Sequence, residues 1–340
     1  MPSLKRTALL VVVAMFAIGR PVRAIDTTYT LTDLGTLSGG LCSEGLAVNN
    51  AGQVAGFTTV DGTDNEERPF LFKDGVMTQL AAGFGWATSI NDAGQTVGFA
   101  CPEDGPCFIE HAFVHQYGST RFFFPHGRAA RRNSLAYGIN NRGTIVGEIE
   151  SQGLIIESGV AYQINWPSVL SLTGINDANQ VIGQLANSHG FVFDRFRLAD
   201  LGTLDGAPGS DSRAAAINAA GQIAGSSYVS TTAVFRAFSY QNGTMSSLGT
   251  LHGEGEWLPD VLAYSLGLGI NAAGDIVGES DGAAFIYRNG VMTDLNTLLP
   301  PDSPKVGRAR AINDRGQIVG LVWTSPCGHA VLLTPVATEP

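Results

Sequence analysis

One nine-residue pattern recurs seven times along the chain and constrains its fold more than any other feature. The copy at residues 90–98 reads INDAGQTVG: an apolar residue, an asparagine, two further residues, a glycine, a polar residue, and a mostly apolar pair before a second glycine. The asparagines are spaced 42, 49, 36, 42, 53 and 42 residues apart. Four short strands with their turns occupy about 40 to 45 residues, so this period predicts propeller blades. The seven copies begin with Val48-Asn49, Ile90-Asn91, Ile139-Asn140, Ile175-Asn176, Ile217-Asn218, Ile270-Asn271 and Ile312-Asn313.

Each copy predicts a hairpin between a first strand, A, and a second strand, B. Asparagine suits the first position of a type I turn, and glycine suits the left-handed position that closes it. Asn179 replaces that glycine in one copy, and asparagine is the non-glycine residue that best tolerates a positive φ. We therefore interpret the seven asparagines as turn formers rather than as ligands.

A second signature predicts strands C and D. An apolar strand C opens at Pro69-Phe70, His111-Ala112-Phe113, His189-Gly190-Phe191, Ala237-Phe238, Ala284-Phe285 and His329-Ala330-Val331. It commonly ends in a hairpin dipeptide, at Asp74-Gly75, Ser158-Gly159, Asn242-Gly243 or Asn289-Gly290. Strand D then ends in a Leu-Gly/Asn-Thr-Leu motif at 34–37, 201–204, 248–251 and 295–298. Each unit is thus predicted to be a four-stranded antiparallel meander.

The two ends of the repeat array predict a closed ring. Residues 29–37 resemble a strand D without its A, B and C, and residues 329–334 resemble a strand C without its D. Together they complete one blade, which removes the exposed edges of an open sheet. We therefore predict one all-β domain over residues 25–340, a seven-bladed β-propeller. The alternative is a β-solenoid, whose coils usually repeat faster, at about 20 to 30 residues.

The chain resembles the bacterial HAF-repeat family of extracellular repeat proteins, named for the His-Ala-Phe seen at His111 to Phe113. The resemblance covers almost all of residues 29–335. The third unit departs from it, with Leu154-Ile155-Ile156 where histidine and an aromatic residue are expected at the start of strand C. The resemblance implies an exported protein and no settled biochemical activity.

The first 24 residues read as a signal peptide. Lys5 and Arg6 precede an apolar run of 11 residues, which is shorter than the roughly 20 needed to span a bilayer. Cleavage near Ala24 would deliver a secreted or periplasmic protein, and we expect no membrane span. The remaining chain keeps 16 basic against 30 acidic residues, a balance that disfavours nucleic acid as a partner. We expect a monomer.

The four cysteines suit an oxidising compartment. Cys101 and Cys107 flank a Pro/Gly-rich stretch of one B-to-C loop and are predicted to pair. Cys42 and Cys327 both fall at one edge of the closing blade, so we predict that they form the second disulfide.

The usual catalytic and metal-binding sequence signatures are absent. His111, His189 and His329 occupy one repeat position and are interpreted as structural. We expect no catalytic residue, metal or cofactor to be readable from the chain.

The long connections carry the candidate binding residues. In an antiparallel blade the short A-to-B and C-to-D turns share one side, and the long B-to-C and D-to-A connections share the other, where recognition usually resides. The sequence favours an exported, non-catalytic scaffold for an extracellular carbohydrate or protein; the alternative is a propeller hydrolase or lyase acting on glycans with carboxylates from different blades. The candidate ligand-binding residues are Asp61, Asp64, Glu66, Arg128, Arg131, Arg132, Glu254, Glu256 and Trp257.

Overall fold

A computed structural model describes residues 27–60, 66–102, 108–123, 133–164, 166, 168–194, 197–252, 257–258, 261–324 and 327–336. The predicted signal peptide lies outside these residues and stays a prediction. No helix among the described residues is long and apolar enough to cross a membrane.

Seven four-stranded antiparallel sheets form a β-propeller, as the repeat predicts. Within each sheet the strands run in the order A, B, C, D. Blade 1 contains Ser43–Val48, Val54–Thr59, Glu67–Lys73 and Val76–Gln79; blade 2, Gly85–Ile90, Thr96–Ala100, His111–Gln116 and Ser119–Phe122; blade 3, Ser134–Ile139, Ile145–Ile149, Gln152–Glu157 and Val160–Ile164. Blade 4 contains Val169–Ile175, Val181–Leu185, Gly190–Asp194 and Arg197–Asp200; blade 5, Ser212–Ile217, Ile223–Val229, Val234–Gln241 and Thr244–Ser247. Blade 6 contains Ser265–Ile270, Ile276–Ser280, Ala283–Arg288 and Val291–Asp294; blade 7, Val306–Ile312, Ile318–Trp323, Gly328–Pro335 and Tyr29–Gly35.

Two short elements lie between blades. The strands Trp257–Leu258 and Val261–Leu262 pair between blades 5 and 6. A 3-10 helix, Leu295–Leu298, follows blade 6, and the Asp294 carboxylate accepts a hydrogen bond from the Asn296 N–H at its start. The prediction that strand D ends in the Leu-Gly/Asn-Thr-Leu motif is therefore wrong: strand D ends at Gly35, Asp200, Ser247 and Asp294, and in blade 6 this cap turns the chain into a helix.

In most blades a glycine of strand B lies opposite an aromatic residue of strand C, and the absence of a side chain on the glycine leaves room for the ring in the core. In blade 1 Gly56 pairs with Phe70, and a Cβ at Gly56 would come within 2.9 Å of that ring and 2.0 Å of the Glu44 carbonyl. Phe70 is fully buried. The same pairing joins Gly98 to Phe113, Gly183 to Phe191, Gly225 to Phe238 and Gly278 to Phe285. In blade 3 Leu154 takes the aromatic position, yet strand C forms as predicted.

A serine at the start of strand A ties several blades to the preceding one. The Ser43 hydroxyl accepts the backbone N–H of Ala330 at 2.8 Å and donates to the Gly35 carbonyl at 2.5 Å. The alanine or glycine before the strand-C apolar residue therefore has its N–H satisfied across the blade boundary. Equivalent bonds join Ala112 to Ser134, Gly190 to Ser212 and Ala237 to Ser265.

The N-terminal strand and one disulfide close the ring, as predicted. Strand D of blade 7 pairs antiparallel with strand C of the same blade, from Tyr29 opposite Pro335 to Asp33 opposite Val331. Cys42 and Cys327 form a disulfide with their Cα atoms 5.6 Å apart. Cys101 is also disulfide-bonded, and its predicted partner, Cys107, lies outside the described residues.

Candidate functional site

The two faces of the ring differ in chemistry. All seven A-to-B turns line one central cavity of about 210 Å³, so they share a face, which we call the turn face. The antiparallel meander sends the B-to-C and D-to-A connections to the opposite face, which we call the loop face.

The turn face is held by a ring of side-chain amides. Six of the seven repeat asparagines donate from Nδ2 to the backbone carbonyl of the repeat asparagine in the next blade, at 2.8–3.2 Å. Within its own turn, Asn49 Oδ1 accepts the N–H groups of Ala51 and Gln53. All seven asparagines are buried. The predicted structural role of the asparagines is therefore confirmed. They stabilise their own turn and also join neighbouring blades.

A second ring of side chains lies just outside the first. The Asp92 carboxylate accepts from the backbone N–H of Asn50, and the Asp177 carboxylate accepts from that of Asn141. The Asn141 amide bridges the same two carboxylates at 3.2 and 3.0 Å. Asp314 accepts from the N–H of Ala272. These carboxylates thus serve the assembly of the ring, and no cluster of metal-ligating side chains was found among the described residues.

The loop face holds an ion network that links blades 6, 7 and 1. Arg310 Nε lies 2.6 Å from Glu44 Oε1, and Arg308 Nε lies 2.5 Å from Glu279 Oε2. Arg308 also approaches Glu44 at 3.8 Å, and the Tyr264 hydroxyl donates to Glu279 Oε1. The two carboxylate side chains are 10% and 6% exposed, whereas the two guanidinium side chains are 26% and 30% exposed. Solvent therefore reaches this network mainly through its arginines.

The electrostatics of Tyr264 reflect this burial. Desolvation, the hydrogen bond to Glu279 and the charge of that carboxylate together raise the pKa of the Tyr264 hydroxyl to about 12. The hydroxyl remains a donor at neutral pH, which keeps Glu279 satisfied beside Arg308.

A carboxyl and an aromatic cluster extend this region to blade 2. Trp86 Nε1 donates to Glu67 Oε2 at 2.5 Å, and the Trp86 ring stacks on Phe57 with centroids 5.0 Å apart. Burial raises the pKa of the Glu67 carboxyl, the Trp86 hydrogen bond opposes that shift, and the charge of Glu44 adds to it. Glu67 therefore holds a proton more readily than a solvated glutamate does.

Comparison of the seven repeats with one another would have identified part of this region from the sequence alone. The residue five positions before the repeat asparagine is Leu135 or Leu266 in two blades, and it is Glu44, Trp86, Ser171, Arg213 or Arg308 in the others, so it varies beside residues that repeat. Residues that break a repeat at a structurally equivalent position are candidates for function, because the shared residues already account for the fold.

Most of the predicted ligand-binding residues cannot be placed. Glu66 lies beside Arg68, with 3.1 Å between Oε2 and Nη2, and Trp257 begins the short hairpin between blades 5 and 6. Within the described part of the chain, no hydrogen bond or ion pair joins Glu66 to Glu44, Arg308 or Arg310. The residues outside the described chain are Asp61, Asp64, Arg128, Arg131, Arg132, Glu254 and Glu256.

The repeat histidines hold strand C to strand D. His189 Nδ1 lies 2.9 Å from Asp200 Oδ1, and His329 Nδ1 lies 3.0 Å from Asp33 Oδ2. Both aspartates also accept the N–H of the glycine two residues later, Gly202 and Gly35. Burial lowers the pKa of His111. These contacts support the structural interpretation of His189 and His329.

No family model matches the chain, and no curated protein matches it in sequence. Solved structures with similar folds include the extracellular domain of the two-component system BT4673 from B. thetaiotaomicron (TM-score 0.56, 9% identity, 92% of this chain, 40% of that one). An oligogalacturonate lyase in complex with manganese gives a TM-score of 0.57 at 13% identity, covering 90% of this chain and 93% of the lyase. A puromycin-hydrolyzing peptidase of Mycobacterium tuberculosis gives 0.57 at 10%, covering 87% and 51%. The chain thus spans less than half of the sensor domain, and at these identities the likeness shows the propeller fold alone.

Proposed function

We propose that the protein is an exported, non-catalytic binding scaffold that presents its loop face to an extracellular or cell-surface ligand, a carbohydrate or a protein. The observation that carries this proposal is the ion network of Glu44, Arg308, Arg310 and Glu279 on that face. It is specific to three blades, and its guanidinium groups are partly exposed.

The contrast between the faces supports the proposal. The central part of the turn face repeats from blade to blade, and its amides and carboxylates bind one another. The loop face combines partly exposed arginines with the Trp86 ring and with connections that differ in every blade. A rigid ring that displays variable connections is a common arrangement for recognition.

Glycan cleavage is the second candidate, and Glu67 is the observation that favours it. Its raised pKa and its place near Glu44 resemble the paired carboxyls of hydrolases, one of which must hold a proton. Both carboxyls belong to blade 1, however, whereas the sequence-based alternative drew them from different blades. Turnover of an oligosaccharide that stops in Glu67→Gln, with a thermal unfolding midpoint no lower than that of the parent, would establish the enzyme.

A thermal-shift screen of the mature chain against a panel of neutral and acidic oligosaccharides tests the scaffold. A ligand present at 100 times its Kd stabilises the fold by about 2.7 kcal/mol, which is readily measured. Trp257→Ala and the triple change Arg128→Ala, Arg131→Ala, Arg132→Ala should weaken binding without altering the unliganded midpoint. Asp74→Asn, in a turn-face hairpin, is the matched control and should bind normally. Retained binding in both loop-face variants, with loss in the control, would contradict the assignment of the face.

A further inference from the structure

A groove between blades 2 and 3 opens on the turn face, away from the central ring. Its volume is about 670 Å³, within the usual 300–1,000 Å³ range of small-molecule sites. One wall is the C-to-D hairpin of blade 2, with Tyr117 and Arg121, and the other is the A-to-B turn of blade 3, with Arg142 and Thr144.

The groove lies where the repeat is broken. Residue 144 is threonine, whereas the same position is glutamine in five other blades and aspartate in the sixth. In most blades that glutamine lies against the turn glycine of the next blade; Gln53, for example, would touch a Cβ at Gly94 at 3.1 Å. The shorter Thr144 side chain does not reach across in this way, and it lines the groove instead.

Tyr117 is held in an unusual backbone conformation at the rim. Its φ is +53°, the left-handed region that bulky residues rarely adopt, and it is 95% exposed. The same hairpin position holds Asp74, Ser158, Asn242 or Asn289 in other blades. An exposed tyrosine in a strained backbone conformation contributes little to stability. Such a residue is typical of a site that contacts a ligand.

The two arginines give the groove its charge. The Arg121 guanidinium lies 4.7 Å above the Phe123 ring, and the Arg142 side chain is exposed at the opposite wall. Within the described chain no ion pair joins either guanidinium to a carboxylate, whereas Arg288, Arg308 and Arg310 each pair with one. Glu157 at the rim is exposed and opposes an anion.

We propose that this groove binds a short acidic oligosaccharide, with Arg121 and Arg142 on its carboxylates and Tyr117 against a sugar ring. Guanidinium groups recognise carboxylates through paired, charge-assisted hydrogen bonds, and an exposed aromatic ring offers a stacking surface. Hydroxyls that can bond the sugar hydroxyls come from Thr144 and Ser158, which line the groove. The site is distinct from the loop face and does not depend on the function proposed there.

Calorimetric titration of the full mature chain with trigalacturonate tests the proposal. Maltotriose is the neutral comparison, and triglutamate and inorganic phosphate are the acidic, non-sugar comparisons. Trigalacturonate should bind, and Arg121→Ala or Arg142→Ala should each weaken its binding by about tenfold.

Arg315→Ala is the matched control, because Arg315 holds the position of Arg142 in the A-to-B turn of blade 7 and does not line the groove. The double variant Thr144→Gln/Asn179→Gly restores the repeat and replaces two side chains that line the groove, so it should weaken binding. Glu157→Gln should tighten it.

The other outcomes each overturn the proposal. Equal binding of maltotriose would show that the arginines are not used, and binding of triglutamate or phosphate in preference to trigalacturonate would show that the site is not specific for a sugar. If no probe gives a heat of binding at millimolar concentration, the groove does not bind any of these ligands and the proposal is wrong. Trigalacturonate binding that survives Arg121→Ala but is lost in Arg128→Ala, Arg131→Ala, Arg132→Ala would place it on the loop face instead.

Discussion

Asn140 Nδ2 in blade 3 donates a hydrogen bond to Asn179 Oδ1 in blade 4 at 2.8 Å. In the other six blades the repeat asparagine donates instead to the side chain four residues later in its own turn, as Asn49 does to Gln53 at 2.7 Å. Blade 3 has Thr144 at that place, and blade 4 has Asn179 where a glycine is usual. The two departures from the repeat therefore compensate for each other across a blade boundary.

This relationship predicts that Asn179→Gly destabilises the protein. Asn179 has a φ of +60°, where glycine is normally favoured, so backbone preference alone predicts a gain. Loss of this side-chain acceptor of a buried amide should outweigh that gain and cost about 1 kcal/mol in the free energy of unfolding, measured in urea. Adding Thr144→Gln should restore stability, since the glutamine supplies the missing acceptor. Additive effects in the double variant would contradict the compensation.

The ring-closing disulfide should contribute more than a local one. Cys42 and Cys327 are 285 residues apart, so their bond restricts the unfolded chain over nearly its whole length. Replacing both with serine should lower the free energy of unfolding by up to about 5.6 kcal/mol on the chain-entropy model. The comparison is Cys101→Ser/Cys107→Ser, which would open a loop of a few residues and should cost about 2 kcal/mol. An equal loss in the two variants would argue against the entropic account.

Removal of residues 25–38 should open blade 7. These residues include strand D of that blade, and their loss exposes the edge of strand C from Gly328 to Pro335. An unpaired edge favours association with another chain, so the truncated protein should unfold or oligomerise in light scattering after size exclusion. The control is deletion of residues 337–340, which follow the last strand. This variant should keep the oligomeric state and the unfolding midpoint of the parent. A truncated protein that stays monomeric with an unchanged unfolding midpoint would show that closure is dispensable.

The fold was predictable because its signals are local and repeated. Asn91 and Gly94 specify a turn within four residues, and the same turn written seven times specifies the number of blades. The network on the loop face was not predictable in the same way. Arg310 and Glu44 are 266 residues apart, and only the closed ring brings them to 2.6 Å. The groove depends on Thr144. Its role can be recognised only by comparison with the glutamine that occupies the same position in most other blades.

Glu67 predicts a specific pH dependence of stability. Its folded-state pKa is raised, chiefly by burial, so the ionised carboxyl opposes folding at neutral pH and its protonation favours it. This contribution should appear as the pH falls through the raised folded value and be complete below the unfolded value of about 4.5. Glu67→Gln keeps an oxygen to accept from Trp86 Nε1 but carries no charge, so it should be more stable than the parent at pH 7 and equal to it near pH 4.

The measurement is the difference in the free energy of unfolding between Glu67→Gln and the parent across pH 4 to 7. Using a difference cancels groups such as Asp200, whose lowered pKa makes stability fall as the pH falls. Glu157→Gln, which removes the same charge from an exposed turn, is the matched control. A constant difference for Glu67→Gln would show that solvent reaches this carboxyl, and a variant less stable than the parent at pH 7 would show that its charge is needed beside Trp86.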